Sequence, residues 1–332
     1  MVLAHVTDAW TREVDRHDDR YFAAVFVNGL AAPMFMFLAG VALAMAAESR
    51  ARSVGALEAA RSVRRRGWQV FGLAFLFRVQ SQLLGWGPLT NILKVDVLNI
   101  MGLSMVGAAW IWTLVPRRAA RIGIYAAATA VFALLNPVVR EMAWGASLPD
   151  LLERYIRSTP GSGWFSLFPW SGFLTAGALV GELIDAAQDA SEERRVQAGL
   201  AAAAIAGIVS SYALSLLPSI YAHSEFWSTS PVFFFIRLGL VVATVPLAWA
   251  VGLSWNPLVT LGRSSLFVYW VHVEMVYGSW AIWLKRSLPW ELTVVSAIGL
   301  CVLLYELVRL KDTAMLRRPL PRRLGFLAPV LR

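Results

Sequence analysis

The sequence is short of cysteine and short of charge. It has one cysteine in 332 residues, Cys301, and that residue lies inside an apolar run. A single cysteine closes no intrachain disulfide, and no Cys/His spacing of the zinc-binding kind is present. A P-loop and a GxGxxG turn are also missing, so neither of these phosphate-cradling motifs is signalled. Charged residues make up only 15% of the chain and hydrophobic ones 58%, with a mean hydropathy of +0.59. Soluble domains carry roughly 25% charge. A soluble core of this length cannot hide so much apolar surface, so lipid must be the solvent for much of it. The fifteen tryptophans fit, since Trp favours the membrane interface. No secretory signal is read, because a charged n-region and a cleavage site after a short apolar stretch are lacking.

The apolar runs predict an all-α, polytopic membrane helix bundle. A span needs about 20 apolar residues. Nine full spans are read at 22–46, 67–84, 97–115, 120–137, 165–184, 196–217, 232–251, 258–277 and 292–308. Residues 1–10, MVLAHVTDAW, read as a truncated first span. At about 1.5 Å per residue they cover only about half of a core roughly 30 Å thick. Either the start codon is assigned too late, or a short helix stub is tolerated. The whole chain, 1–332, is expected to be one domain, with a basic cytoplasmic tail at 310–332.

Charge sets the expected topology. One alternating set of loops holds Arg50, Arg52, Arg61, Arg64, Arg65, Arg66, Arg117, Arg118, Arg121, Arg194 and Arg195, and the tail adds seven more basic residues. The opposite loops hold fewer, with Asp15, Asp18, Asp19, Glu141, Asp150 and Glu153 among them. The bias places the first set and the C-terminus in the cytoplasm. It also accounts for most of the net charge of +9 without nucleic acid as a partner.

Ionisable groups at membrane depth are costly and point to cavities or partners. His5 and Asp8 are three apart on one helix face. A carboxylate beside an imidazole fixes its tautomer and raises its basicity, as a general base requires. The bland alternative is a wet helix end. His272 lies well inside LFVYWVHVEMVYG, with Glu274 on a different side. It is either functional or bonded to a neighbouring helix. Arg78 and Gln82 are four apart, and Arg78 needs an anion, for which Asp96 is a candidate. Arg64, Arg65 and Arg66 precede a span and serve anionic-lipid attraction or hold donor phosphates. GRSS at 262–265, with Arg263, either caps its helix or holds phosphate. Outer-loop residues His17 and His223 read as solvent-exposed, and Arg237 as a snorkelling cation.

Five stretches in order, MVLAHVTDAW, GLAAPMFMFLAGVALA, KVDVLNIMGLS, FPWSGFLTAGALVG and LGRSSLFVYWVH, carry a resemblance. The sequence resembles bacterial membrane proteins similar to the catalytic domain of heparan-α-glucosaminide N-acetyltransferase, within the transmembrane acyltransferase superfamily. The resemblance implies ten or eleven helices around a central passage in the bacterial cytoplasmic (inner) membrane. It implies a cytoplasmic acyl-CoA donor, commonly acetyl-CoA, no metal, and a hydroxyl or amine acceptor, often on a saccharide, at the outer face. His5 matches a first-span histidine of relatives, with Asp8 and Trp10 beside it; His17 is a second candidate, and His272 matches the late SLxVYxxH pattern. Many relatives also carry an Arg-Gly pair upstream of that first-span histidine, a segment this sequence does not contain. The implied roles are His5, Asp8 and His272 in catalysis, Trp10, Arg78, Gln82 and Asp96 at the acceptor, and Arg64, Arg65, Arg66 and Arg263 on the donor. A carrier, or a homologue without covalent chemistry, is the competing class. The segment 138–163, with Trp144, Asp150, Glu153, Arg154 and Arg157, either helps select the acceptor or is an amphipathic surface helix.

Overall fold

In lipid every backbone N–H and C=O must be satisfied within its own segment, so apolar runs of this length fold as helices. The computed structural model describes residues 1–84, 92–143, 147–158, 163–252 and 254–317. Fourteen α-helices appear among them: α1 (Val2–Trp10), α2 (Asp19–Asn28), α3 (Ala31–Val54), α4 (Ala56–Leu84), α5 (Val97–Leu114), α6 (Arg118–Leu134), α7 (Asn136–Glu141), α8 (Asp150–Ile156), α9 (Leu167–Ala186), α10 (Ala190–Ser215), α11 (Pro231–Val251), α12 (Asn256–Arg263), α13 (Ser265–Tyr277) and α14 (Trp290–Arg317). Short 3-10 turns run over Glu13–His17 and Ser279–Leu284. The β pairing among the described residues is a single bridge between Thr11 and Leu288.

Six segments are long and apolar enough to cross a membrane: Asp19–Val54, Val97–Leu114, Leu167–Ala186, Ala190–Ser215, Pro231–Val251 and Trp290–Met315. The count of nine rests on three more, and each has a physical reason to fall short. The 67–84 half of α4 is interrupted by Gln69, Arg78, Gln80, Ser81 and Gln82. α6 is 17 residues long. The run 258–277 is divided at Ser264, which leaves helical geometry between α12 and α13. The run 22–46 is divided too, at Gly29 and Leu30 between α2 and α3. Pro33 explains this break, because its ring would strike the carbonyl four residues earlier, that of Gly29, in a continuous helix.

The chain forms two compact units. The first comprises Met1–Ala31, Leu76–Ile92 and Ser254–Arg332. Its core is α1 against α13 and α14: Val6, Ala9 and Trp10 pack with Val276, Ala281, Ala297, Leu300 and Leu304. The second comprises Ala32–Phe75 and Leu93–Leu253. There Phe37 of α3, Ala176 and Val180 of α9, Leu200 and Ala204 of α10, and Val241 and Val242 of α11 form a core. Two glycines bring α3 and α9 into backbone contact. A Cβ on Gly177 would fall on the Phe37 carbonyl, and one on Gly40 would fall on the Leu174 carbonyl. Such small-residue seams are how helices associate where lipid offers no hydrophobic driving force.

A charge network ties the same unit. Arg121 of α6 pairs with Glu182 of α9 at 2.7 Å and also with Glu48 of α3. Arg118 reaches Glu48 (3.2 Å), Glu182 (3.3 Å) and Asp185 (2.8 Å), and Arg52 holds Asp185 at 2.9 Å. Three arginines meet three carboxylates, so the buried charge is balanced. Glu182 is fully buried, and an unpaired charge there would cost several kcal/mol, on the order of 3–5.

Candidate active site

α1 is short, and its last turn leaves carbonyls without helical partners. Residues beyond the helix supply the missing donors. The Arg286 N–H donates to the Ala9 carbonyl (2.9 Å) and the Leu288 N–H to the Trp10 carbonyl (2.9 Å). Arg16 donates to the Asp8 carbonyl and, at 3.2 Å, to the Thr11 carbonyl. A cation at this end also complements the helix dipole. The Trp10 indole donates to the Val276 carbonyl of α13 at 3.1 Å. Val6, Ala9 and Trp10 are buried, which fixes α1 in rotation and leaves His5 and Asp8 beside α13.

His5 meets His272. Nδ1 of His5 lies 3.0 Å from Nε2 of His272, with ring centroids 5.0 Å apart and planes inclined by 20°. The residues are 267 positions apart in sequence. Nδ1 of His272 lies 2.6 Å from the Val268 carbonyl one turn earlier. His272 is fully buried, with Tyr269 edge-on to its ring at 5.9 Å. Tyr277 packs edge-on against His5 at 5.5 Å and donates its hydroxyl to the Asp8 carboxylate at 2.9 Å. The sequence expects Asp8 to orient His5. In the structure the group bonded to the His5 ring is His272, and Asp8 takes its bond from Tyr277.

The end of α4 adds a polar cluster to this unit. Gln80 accepts from the Trp270 indole at 2.6 Å. Buried Glu274 accepts from Ser81, with Arg78 close enough to act on its charge. Glu274, which helix spacing sets on another side from His272, carries its charge within reach of Arg78. Gln82 is half-buried on the same segment.

The remaining expected site residues lie elsewhere. Asp96 belongs to the second unit and caps α5: its Oδ1 accepts from the backbone of Leu98 and Asn99, while Asn99 answers with its side chain. Arg64, Arg65 and Arg66 are also in the second unit. Arg64 donates to Thr113 (2.8 Å) and lies over Trp110 at 4.5 Å, Arg65 is exposed, and Arg66 is half-buried. Arg263 is the exposed last residue of α12. Ser264 accepts a bond from Lys311 at 2.8 Å, so its hydroxyl is engaged by the chain itself. His17 is exposed at the end of the first 3-10 turn. The adjacent Asp18 carboxyl caps α2 and is held below its ordinary range by hydrogen bonds from Arg20. In the 138–163 segment, Arg157 binds Glu153 and the carbonyls of Val139, Arg140 and Met142, which makes it a staple of that loop. Trp144 and residues 318–332 of the tail lie outside the described residues.

Sequence reasoning missed Tyr277, Arg16, Gln80, Ser81 and the Val268 carbonyl. Tyr277, Gln80 and Ser81 act between segments distant in sequence, and Arg16 and Val268 act through backbone carbonyls, which side-chain patterns do not signal. No curated protein and no solved structure matches the chain. The family model described as heparan-alpha-glucosaminide N-acetyltransferase, catalytic, matches residues 1–222. The matched stretch includes His5, Asp8 and the α3–α9 seam, and it covers more than half of the 332 residues. The chain therefore belongs to the heparan-alpha-glucosaminide N-acetyltransferase catalytic family, a family of membrane acetyltransferases.

Proposed function

We propose that the protein is an integral membrane acyltransferase. It moves an acetyl group from cytoplasmic acetyl-CoA to a hydroxyl or amine of a saccharide acceptor at the outer face. The observation that carries this reading is the His5–His272 contact in a chain of this family. His5 is the general base. It takes the proton from the acceptor as the acceptor's lone pair attacks the thioester carbonyl carbon. The tetrahedral oxyanion then collapses, the C–S bond breaks, and the thiolate leaves with the proton that His5 returns. The products are acylated acceptor and free CoA.

The other groups have supporting roles in this reading. Gln82 is proposed as an acceptor-side group, while Trp10, whose indole is taken by the Val276 carbonyl, holds α1 in place. Arg78 supplies positive charge toward the oxyanion, where a preorganised donor is worth most. Arg64, Arg65 and Arg66 in the second unit, and separately Arg263 in the first, are proposed on charge alone as cations that can meet a CoA phosphate. Asp8, held by Tyr277, keeps a negative charge one helical turn from the imidazolium that forms at His5. We read the chain as a multi-pass protein of a bacterial inner membrane, as the resemblance implies, with its C-terminus in the cytoplasm from the loop charges.

The test is release of free CoA from acetyl-CoA by the purified protein in nanodiscs, with D-glucosamine or water as acceptor. CoA should also raise the thermal midpoint. A carrier or an inactive homologue gives neither CoA release nor stabilisation, and that result would sink the proposal.

A further inference from the structure

We propose that His272 is a positioning residue that fixes the tautomer of His5, leaving Nε2 of His5 as the base. This deepens the reading of His5 above and rests on it only for the word base. One partner in this chain of contacts cannot donate. The Val268 carbonyl oxygen, 2.6 Å from Nδ1 of His272, only accepts, so that nitrogen carries the proton. In a neutral imidazole the other nitrogen is then a bare acceptor. This nitrogen, Nε2 of His272, lies 3.0 Å from Nδ1 of His5. Two bare nitrogens at that distance would repel, so Nδ1 of His5 carries the proton and donates. One arrangement of protons remains: His5 Nδ1–H to His272 Nε2, and His272 Nδ1–H to Val268.

The chain has a direction and an end. It starts at the lone pair on His5 Nε2 and stops at a backbone carbonyl, which does not titrate. A free histidine favours the opposite form, with hydrogen on Nε2, in which the lone pair would sit on Nδ1. The contact therefore selects the minor form and presents its lone pair away from α13. When Nε2 takes a proton, the bond from Nδ1 to His272 becomes charge-assisted and strengthens. His272 thus does for His5 what a carboxylate does in a Ser-His-Asp triad, without bringing a charge. α13 is well suited to this, because burial of His272 and the Tyr269 ring beside it hold the imidazole in one orientation.

The experiment is nitrogen NMR on protein labelled with 15N-histidine in nanodiscs. Only four histidines are present, so His17→Gln and His223→Gln variants reduce the spectrum to the pair. Wild type should show His5 protonated on Nδ1 and bare on Nε2. His272→Phe removes the acceptor, and His5 should revert to the Nε2–H form, with kcat falling about 10²-fold and KM for acetyl-CoA unchanged. In His272→Gln the side-chain oxygen can accept from Nδ1, which should restore the tautomer and most of the rate. A wild-type His5 with hydrogen on Nε2, or a tautomer unmoved in His272→Phe, overturns the proposal. Should His272→Phe not fold, the wild-type spectrum decides by itself. The spectrum needs no substrate. A fully active His5→Ala protein would therefore overturn the base assignment while leaving the tautomer result standing.

Discussion

At the scale of single residues, two histidines distant in sequence share one hydrogen bond, and a tyrosine holds the neighbouring carboxylate. Tyr277→Phe keeps the ring against His5 and removes only the bond to Asp8. It should lower acetyl transfer by less than His5→Ala does, with an unchanged thermal midpoint, as measured by CoA release and melting of the same preparation. Equal losses in the two variants would give Asp8 a larger role than its exposed position supports. His5 and Asp8 were legible in the sequence, because ionisable groups in an apolar run stand out. His272 stood out for the same reason, but its pairing with His5, and that of Tyr277 with Asp8, were not legible because both arise through tertiary packing. Glu274 shows the limit of helix-wheel logic. It points away from His272 on its own helix and finds Ser81 and Arg78 on another.

At the scale of elements, the seam of α3 and α9 depends on the absence of side chains. Gly177→Val would drive a branched side chain into the Phe37 carbonyl, with backbone rather than a flexible side chain as the obstacle. Overpacking of this kind costs about 1–3 kcal/mol or more. The expected outcome is a lower thermal midpoint and poorer recovery from detergent. Gly207→Ala on α10, where a methyl meets nothing within 4 Å, should be neutral or stabilising by about 0.4–1 kcal/mol. If both variants melt alike, the two helices are not in backbone contact. The charge network makes a second prediction. Arg121→Met leaves Glu182 and Glu48 to Arg118 and should destabilise by up to about 3–5 kcal/mol, while pairing it with Glu182→Gln should recover part of the loss. A double variant as unstable as the sum of the singles would mean the pair is not coupled. The long helices were legible from their apolar runs. The breaks are missed: 22–46 reads as one span although Pro33 marks its division, Pro246 lies inside an unbroken α11, and the break at Ser264 has no proline to mark it.

At the scale of the whole molecule, the proposed topology rests on loop charge and the proposed chemistry on the family. In a Cys301→Ser background, a cysteine at position 223 should react with a membrane-impermeant maleimide in intact cells. A cysteine at position 188 should react only after the membrane is opened. The reverse pattern would invert the expected orientation and place His5 on the donor side. The central claim is narrower than the topology: the protein transfers an acyl group, and His5 is its base. It is tested most directly by radiolabelled acetyl transfer from acetyl-CoA to D-glucosamine in nanodiscs, with wild type, His5→Ala and His17→Ala compared at equal amounts of folded protein. Wild type and His17→Ala should transfer the label, and His5→Ala should lose at least about 10²-fold. Undiminished transfer by His5→Ala, or loss confined to His17→Ala, would contradict it.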